Sequence, residues 1–215
     1  VLFRSVEHAL QSGSEIPPFY DSMIAKVISH GATRDEARGK LICALEQVTA
    51  FGVTTNQGFL IDCLRHPVFA KGEATTAFIG DNRDALLAPR ADRGSDLALA
   101  ALLFYVTHPH APPWQRGRSL SATFPLGLRI DLGHGVQEIE IVRERDGNYL
   151  TSRYGDRFSF VIDELDQDSI RFHHDGLMEQ AKFLRDGDRL FVLHRGVMLS
   201  ARDLTLAPPE SASVA

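Results

Sequence analysis

The 215-residue chain is predicted to be α+β in two parts: an α/β segment, then an antiparallel β-barrel wrapped around a central apolar helix. Three observations predict this. Between residues 24 and 67 a short apolar run, a capped helical pattern, a β-like step and a second helical pattern follow in turn, an α/β order. Residues 97–106 are ten apolar residues with no polar face, and a helix apolar all round must be buried all round. From residue 126 onward apolar and polar residues alternate in short segments separated by glycine-containing turn pairs. That is the pattern of a meander of roughly seven or eight hairpin strands, which removes its edges by closing on itself.

The elements follow in order. Residues 1–5, Val-Leu-Phe-Arg-Ser, read as adaptor-derived and non-native, and are set aside from the fold reasoning. Residues 24–29 read as a buried strand ended by Gly31. Thr33 and Glu36 form a capping box at the start of a helix. Ala37, Leu41, Ala44, Leu45 and Val48 give that helix one inward stripe, and Gly52 ends it. Residues 53–55 are a β-like step. Asn56 caps a second helix with Phe59, Leu60, Cys63 and Leu64 inward, and Pro67 closes it. The polar segment 82–92 reads as a linker. Asp96 then caps the apolar helix. Leu126, Leu128, Ile130 and Leu132 alternate with polar residues or glycine, as do Ile139 and Ile141. Asp146-Gly147, Gly155-Asp156, Asp175-Gly176 and Asp186-Gly187 mark hairpin turns, and 208–215 reads as the start of a linker.

Composition excludes several classes. A net charge of -5 leaves no basic surplus for general nucleic-acid binding. No apolar run reaches the roughly 20 residues of a membrane span, and no secretory signal is visible. The two cysteines, Cys43 and Cys63, read as buried free thiols in a reducing compartment: the cytoplasm, or the mitochondrial matrix of a eukaryote.

Candidate chemistry is sparse. Tyr20-Asp21 is a weak acid-base pair, because neighbours on a strand point to opposite faces. Lys26 sits within an apolar run. His108, His110, His173 and His174 lack the further ligands that zinc requires, so they read as loop or surface histidines. Trp114 beside Arg116 has the composition of an interface anchor or of a packed core residue. There is no glycine-rich phosphate loop, nucleophile elbow or metal motif.

Residues 11–26, QSGSEIPPFYDSMIAK, resemble the C-terminal part of biotin carboxylases, which read EG-x-EIPPYYDSMIAKLI at this point. The family's G-x-x-R-x-x-A matches Gly31, Arg34 and Ala37. Its GV-x-TN matches Gly52-Val53-Thr54-Thr55-Asn56, its HP-x-F matches His66, Pro67 and Phe69, and its G-x-x-T-x-FI matches Gly72, Thr75, Phe78 and Ile79. The apolar helix and hairpin meander resemble the domain that follows biotin carboxylase in α subunits of propionyl-, methylcrotonyl- and geranyl-CoA carboxylases.

The resemblance implies residues 6–81 as the end of an ATP-grasp biotin carboxylase domain and 93–207 as the domain that docks on the carboxyltransferase β subunit. It implies Tyr20, Asp21, Trp114, Arg116 and Arg118 as interface residues. The parent enzyme would use biotin, ATP and Mg (or Mn), with the β subunit and its own biotin carrier domain as partners. The family's catalytic residues would lie upstream of this piece and the biotinyl lysine downstream, so the fragment alone is expected to be inactive. Two alternatives stand beside this reading: a ligand-binding barrel module, and part of another ATP-grasp carboxylase.

Overall fold

A computed structural model describes residues 4–8, 10, 11, 13, 15, 16, 19, 23–88, 93–108 and 124–208. The chain divides into two compact units, residues 1–50 with 54–88, and 89–215 with 51–53.

The first unit begins with a two-stranded antiparallel sheet, β1 (Arg4–His8) and β2 (Ala25–Ser29), in register Val6 opposite Val27 and Glu7 opposite Lys26. β1 starts inside the segment set aside as adaptor-derived. Ladder hydrogen bonds are backbone bonds, so this pairing does not depend on which side chains stand there. β2 is not the buried strand expected from its apolar run. Its residues alternate, with Val27 packed inward while Lys26 and Ile28 (46% exposed) lie on the opposite face. Period-2 geometry sends alternate side chains to opposite faces, and the unit's core lies on one of them.

The helix α1 (Arg34–Gln47) starts at the expected cap. Thr33 Oγ1 accepts from Glu36 N (3.2 Å), and Glu36 Oε2 reaches back to accept from Ala32 N (2.7 Å). It ends before Gly52, which takes φ +88° in the following turn. Ala44 and Leu45 are buried, but Cys43 is exposed, because it falls off the inward stripe. Residues 53–55 form no strand. α2 (Gln57–Arg65) buries Gln57, Ile61, Cys63 and Leu64 and leaves Leu60 exposed. Both cysteines are free thiols. Pro67 opens a new turn rather than simply closing α2: α3 (Pro67–Ala70) has it in its first turn, where the missing N–H costs no helical bond. Two more single turns follow, α4 (Phe78–Asp81) and α5 (Arg83–Leu86). Within the segment read as linker, Leu86 is buried in one cluster with Cys63 and Phe78.

The second unit starts with α6 (Arg93–Val106), three residues before the expected cap; Asp96 lies in its first turn. Among the described residues eight strands follow: β3 (Leu126–Asp131), β4 (Val136–Arg143), β5 (Tyr149–Arg153), β6 (Asp156–Leu165), β7 (Ser169–His174), β8 (Leu177–Asp186), β9 (Arg189–His194) and β10 (Val197–Asp203). Each pairs antiparallel with the next, and β10 returns to β3, closing the barrel. The closing ladder is short, Arg202 opposite Asp131 and Asp203 opposite Ile130. It is extended by Leu204 N donating to Arg129 O (2.7 Å) and by Arg129 Nη1 donating to Ala207 O (3.3 Å).

Two-residue turns join β5 to β6, β7 to β8 and β9 to β10. Tyr154-Gly155, Asp175-Gly176 and Arg195-Gly196 all have positive φ at both positions, the I′ geometry that matches strand twist. The Gly155-Asp156 and Asp186-Gly187 turns each sit one residue from their expected place, since Asp156 already belongs to β6 and Asp186 still belongs to β8.

One hydrophobic cluster joins Leu97–Phe104, all 2% exposed or less, to the inward residues Leu128, Ile130, Ile139, Ile141, Phe160, Ile170, Phe172, Ala181, Phe183, Leu190, Val192 and Ala201. Leu126, expected inward, is exposed at the start of β3. Each buried leucine or phenylalanine contributes roughly 1.5–3 kcal/mol over an exposed one.

Candidate functional surfaces

The interface residues implied by the sequence, Tyr20, Asp21, Trp114, Arg116 and Arg118, lie outside the described residues, as does His110. Lys26 is exposed on β2, opposite Glu7. The histidine pair is not in a loop, since both members belong to β7. His173 Nδ1 lies 3.1 Å from Asp163 Oδ2. His174 is buried, its Nδ1 donating to Ser159 O (3.0 Å) and its ring stacked on Phe160 at 4.8 Å. Among the described residues no three His, Cys, Asp or Glu side chains gather as a metal site.

The short motifs of the first unit converge in space, and the contacts are structural. A Cβ on Gly31 would stand 2.4 Å from Ala37 N, so glycine is required for α1 to sit against the end of β2. Ser29 Oγ donates to Ala37 O (2.8 Å) beside it. Arg34 reaches across to α3, where Nη2 donates to Phe69 O (3.0 Å) and Cζ lies 5.2 Å from the Phe69 ring centre. Gly72, at φ +80°, has no Cβ in the space beside the Arg34 guanidinium. Phe78 then packs against Phe69 and, edge-on at 5.3 Å, against His66.

Two side chains without a local sequence signal satisfy helix ends. Gln57, buried, donates Nε2 to Leu45 O and to Val48 O (2.9 Å), at the end of α1. Arg38 Nη1 donates to Leu64 O (3.1 Å), at the end of α2. The last four carbonyls of a helix lack intrahelical partners, and these groups supply them.

In the barrel unit, polar chemistry gathers at both ends. At the end carrying the I′ turns, Glu179 is held by Arg195 through Nε (2.9 Å) and Nη2, and by His194 Nε2 at 2.5 Å. Burial pushes the Glu179 carboxyl up, but these donors outweigh it and hold the group below its ordinary value. At the same end, Arg153 bonds Gln137 on inward positions of β5 and β4. At the opposite end, Arg185 Nη1 donates to Phe104 O (2.9 Å) and Thr107 Oγ1 (3.1 Å) where α6 finishes. A groove of about 620 Å³ opens beside it, lined by Val106, Leu165, Phe183 and Leu184 among others. None of these side chains forms a nucleophile–base pair or an oxyanion site.

Residues 3–81 match the family model described as the biotin carboxylase C-terminal domain. This stretch is similar to that family. The converging motif contacts are therefore the internal packing of a biotin carboxylase C-terminal domain, with Gly31, Arg34 and Phe69 as its fixed points. The chain is similar to the biotin carboxylase of Halalkalibacterium halodurans, 47% identical over 73 residues, 34% of this chain and 16% of that protein. It is similar to the mitochondrial methylcrotonoyl-CoA carboxylase subunit alpha of Dictyostelium discoideum, 40% identical over 97 residues, 45% of this chain and 14% of that protein. It is also similar to the human mitochondrial propionyl-CoA carboxylase alpha chain, 26% identical over 162 residues, 74% of this chain and 21% of that protein. The chain thus spans about a fifth or less of the length of these curated relatives. The 162-residue alignment is longer than the biotin carboxylase C-terminal domain of this chain and takes in residues of the barrel unit. No helix among the described residues is long and apolar enough to cross a membrane.

Proposed function

We propose that the chain is a piece of the α subunit of a biotin-dependent acyl-CoA carboxylase. Its first unit supplies the structural end of the biotin carboxylase domain, and its barrel, closed around α6 as a central helix, docks on the carboxyltransferase β subunit. The observation that carries this reading is the alignment with the propionyl-CoA carboxylase alpha chain, which continues beyond the biotin carboxylase part into the barrel unit. In the parent reaction ATP activates bicarbonate as carboxyphosphate and biotin is carboxylated. The carrier domain then delivers the carboxyl group to the β subunit, where an acyl-CoA accepts it. No described residues gather as donors for magnesium or manganese, so no step through a metal is assigned to this chain. A ligand-holding barrel needs an open interior. The single cluster joining Leu97–Phe104 to the inward strand residues supports a filled one.

Segment 108–118 is the proposed main contact with the β subunit. It carries Pro109, Pro112 and Pro113, which limit the freedom lost on docking, and Trp114, Arg116 and Arg118, residue types that dominate interface energetics. The test uses the full-length α subunit and its cognate β subunit. Trp114→Ala is expected to weaken their affinity by about 2 kcal/mol or more, with the barrel's melting temperature unchanged. Lower melting with unchanged affinity would place Trp114 in the barrel's own packing instead. The complete pair is further expected to carboxylate an acyl-CoA in a biotin- and ATP-dependent assay; absence of turnover with propionyl-, methylcrotonyl- and geranyl-CoA alike would count against the enzyme class.

A further inference from the structure

We propose that Arg185 is the register pin of α6. It fixes how far along the barrel, and at what rotation, the apolar helix sits, and so positions the chain where it leaves the helix at Thr107. The consequence for partner docking rests on the function proposed above; the pin itself does not.

Leu97–Phe104 carry no polar side-chain atom and are buried throughout. Hydrophobic burial is non-directional, so a helix greasy on every side gains nearly as much after a small slide or turn as before it. A slide of one turn moves the helix end by about 5.4 Å, and a shift of one residue rotates it by roughly 100°. Unique placement therefore needs a directional contact.

Arg185 provides one. It stands on β8, two residues beyond the inward Phe183. Its Nη1 donates both to Phe104 O (2.9 Å) and to Thr107 Oγ1 (3.1 Å). Thr107 is tied back to the same turn, since its Oγ1 donates to Leu103 O (2.6 Å) and its N–H to Leu103 O (3.0 Å). On the barrel side, Arg185 Nε donates to Gly187 O (3.2 Å) in the β8–β9 turn, which holds the guanidinium plane. Its Cζ also lies 5.2 Å from the Phe104 ring centre.

One planar, permanently charged group thus joins a strand, a hairpin turn, and one carbonyl and one hydroxyl at a helix C-terminus, where a cation is favoured by the helix dipole. The contact spans 81 positions of sequence, so it records tertiary placement and not helix propensity. Sliding α6 by one turn would carry Phe104 O out of reach. Registry of this kind is the best-attested use of a half-buried polar group in an apolar setting.

The test compares wild-type full-length α subunit with Arg185→Met, which keeps side-chain length without donors, and Arg185→Lys, which keeps the charge but not the forked donors. Hydrogen exchange is followed at amides of residues 103–108 and of the barrel strands β4 and β9, and affinity is measured for the cognate β subunit. The pin predicts exchange at 103–108 at least about tenfold faster in Arg185→Met, with β4 and β9 changed less than about twofold, and Arg185→Lys in between. Unchanged protection at 103–108 overturns it, and so does equal acceleration everywhere, which marks a general packing role. If Arg185→Met does not fold, Thr107→Val, which removes one acceptor of the pin, is read by the same exchange criterion. The docking consequence predicts affinity weaker by about tenfold or more in Arg185→Met. Wild-type affinity in that variant, with faster exchange at 103–108, overturns the consequence and keeps the pin. Failure of the wild-type α subunit to bind its β subunit overturns the docking reading, and exchange alone then decides the pin.

Discussion

Gly31 and Glu179 show how much a single residue decides here. At Gly31 the constraint is space: an added Cβ would meet backbone atoms, Ala37 N at 2.4 Å and Glu36 C at 2.9 Å, and backbone cannot swing aside as a side chain can. Gly31→Ala is expected to destabilise the first unit by roughly 1–3 kcal/mol, the usual cost of overpacking, read as a lower denaturation midpoint of the full chain. At Glu179 the constraint is charge. Burial raises its carboxyl pKa, but the hydrogen bonds and charges of Arg195 and His194 win and leave it below the ordinary 4.5. A group whose pKa is depressed on folding lends stability that is fully present above its unfolded value and is lost as pH falls through the folded value. Glu179→Gln is therefore expected to cost about 2 kcal/mol at neutral pH. The gap from wild type should close as the pH falls below about 4.5, toward and through the folded value. A gap that stays constant across a melting-temperature series from pH 7 to pH 3 would show that the carboxylate charge does not matter.

At the scale of elements, α6 and the hairpins depend on each other. The helix has no polar face to offer water, and the barrel's inward residues share their cluster with it. Leu102 is fully buried in that cluster. Leu102→Asp would put an unpaired carboxyl there, at a cost of several kcal/mol, comparable with the whole stability of a small domain. The expected outcome is loss of the cooperative transition; a folded variant with unchanged melting would show that α6 is not the core of this unit. The I′ turns are the complementary case. Asp175-Gly176 announces itself in sequence, because aspartate and glycine both accept positive φ. Tyr154 and Arg195 adopt φ 49° and 50° without that preference, drawn there by the ladders on either side.

At the scale of the molecule, the two units differ in what they bury. The barrel closes its own edges and surrounds a continuous core. Among its described residues the first unit has a two-stranded sheet, two small clusters and exposed Val6, Ile28, Leu60 and Ile79. Two-stranded sheets are marginal on their own, and each Å² of apolar surface left wet forgoes roughly 25 cal/mol. Residues 93–208 produced alone are expected to unfold in one cooperative, monomeric transition. Residues 6–80 produced alone are expected to show none; a sharp monomeric transition for that piece would contradict its reading as part of a larger domain.

Local pattern carried much of this protein. The alternation of Leu128 and Ile130 or of Ile139 and Ile141, the all-apolar run of α6, and the Thr33–Glu36 box were legible because each reports on neighbours a few residues away, where periodicity and capping act. The motif string from Gly31 to Ile79 was legible as a resemblance, but its physical sense was not. That Gly31 touches Ala37 and Arg34 reaches Phe69 follows from how α1 lies against its neighbours. The exposure of Cys43 follows from its place off the α1 stripe and that of Lys26 and Ile28 from alternation along β2, whereas the helical turn at 83–86 and the long-range caps from Gln57, Arg38 and Arg185 had no local sequence signal. A polar side chain finds its acceptor through space, and the acceptors here are backbone carbonyls, which every residue carries alike. Only the packed arrangement of helices and strands selects which carbonyl is left open and which distant side chain is near enough to close it.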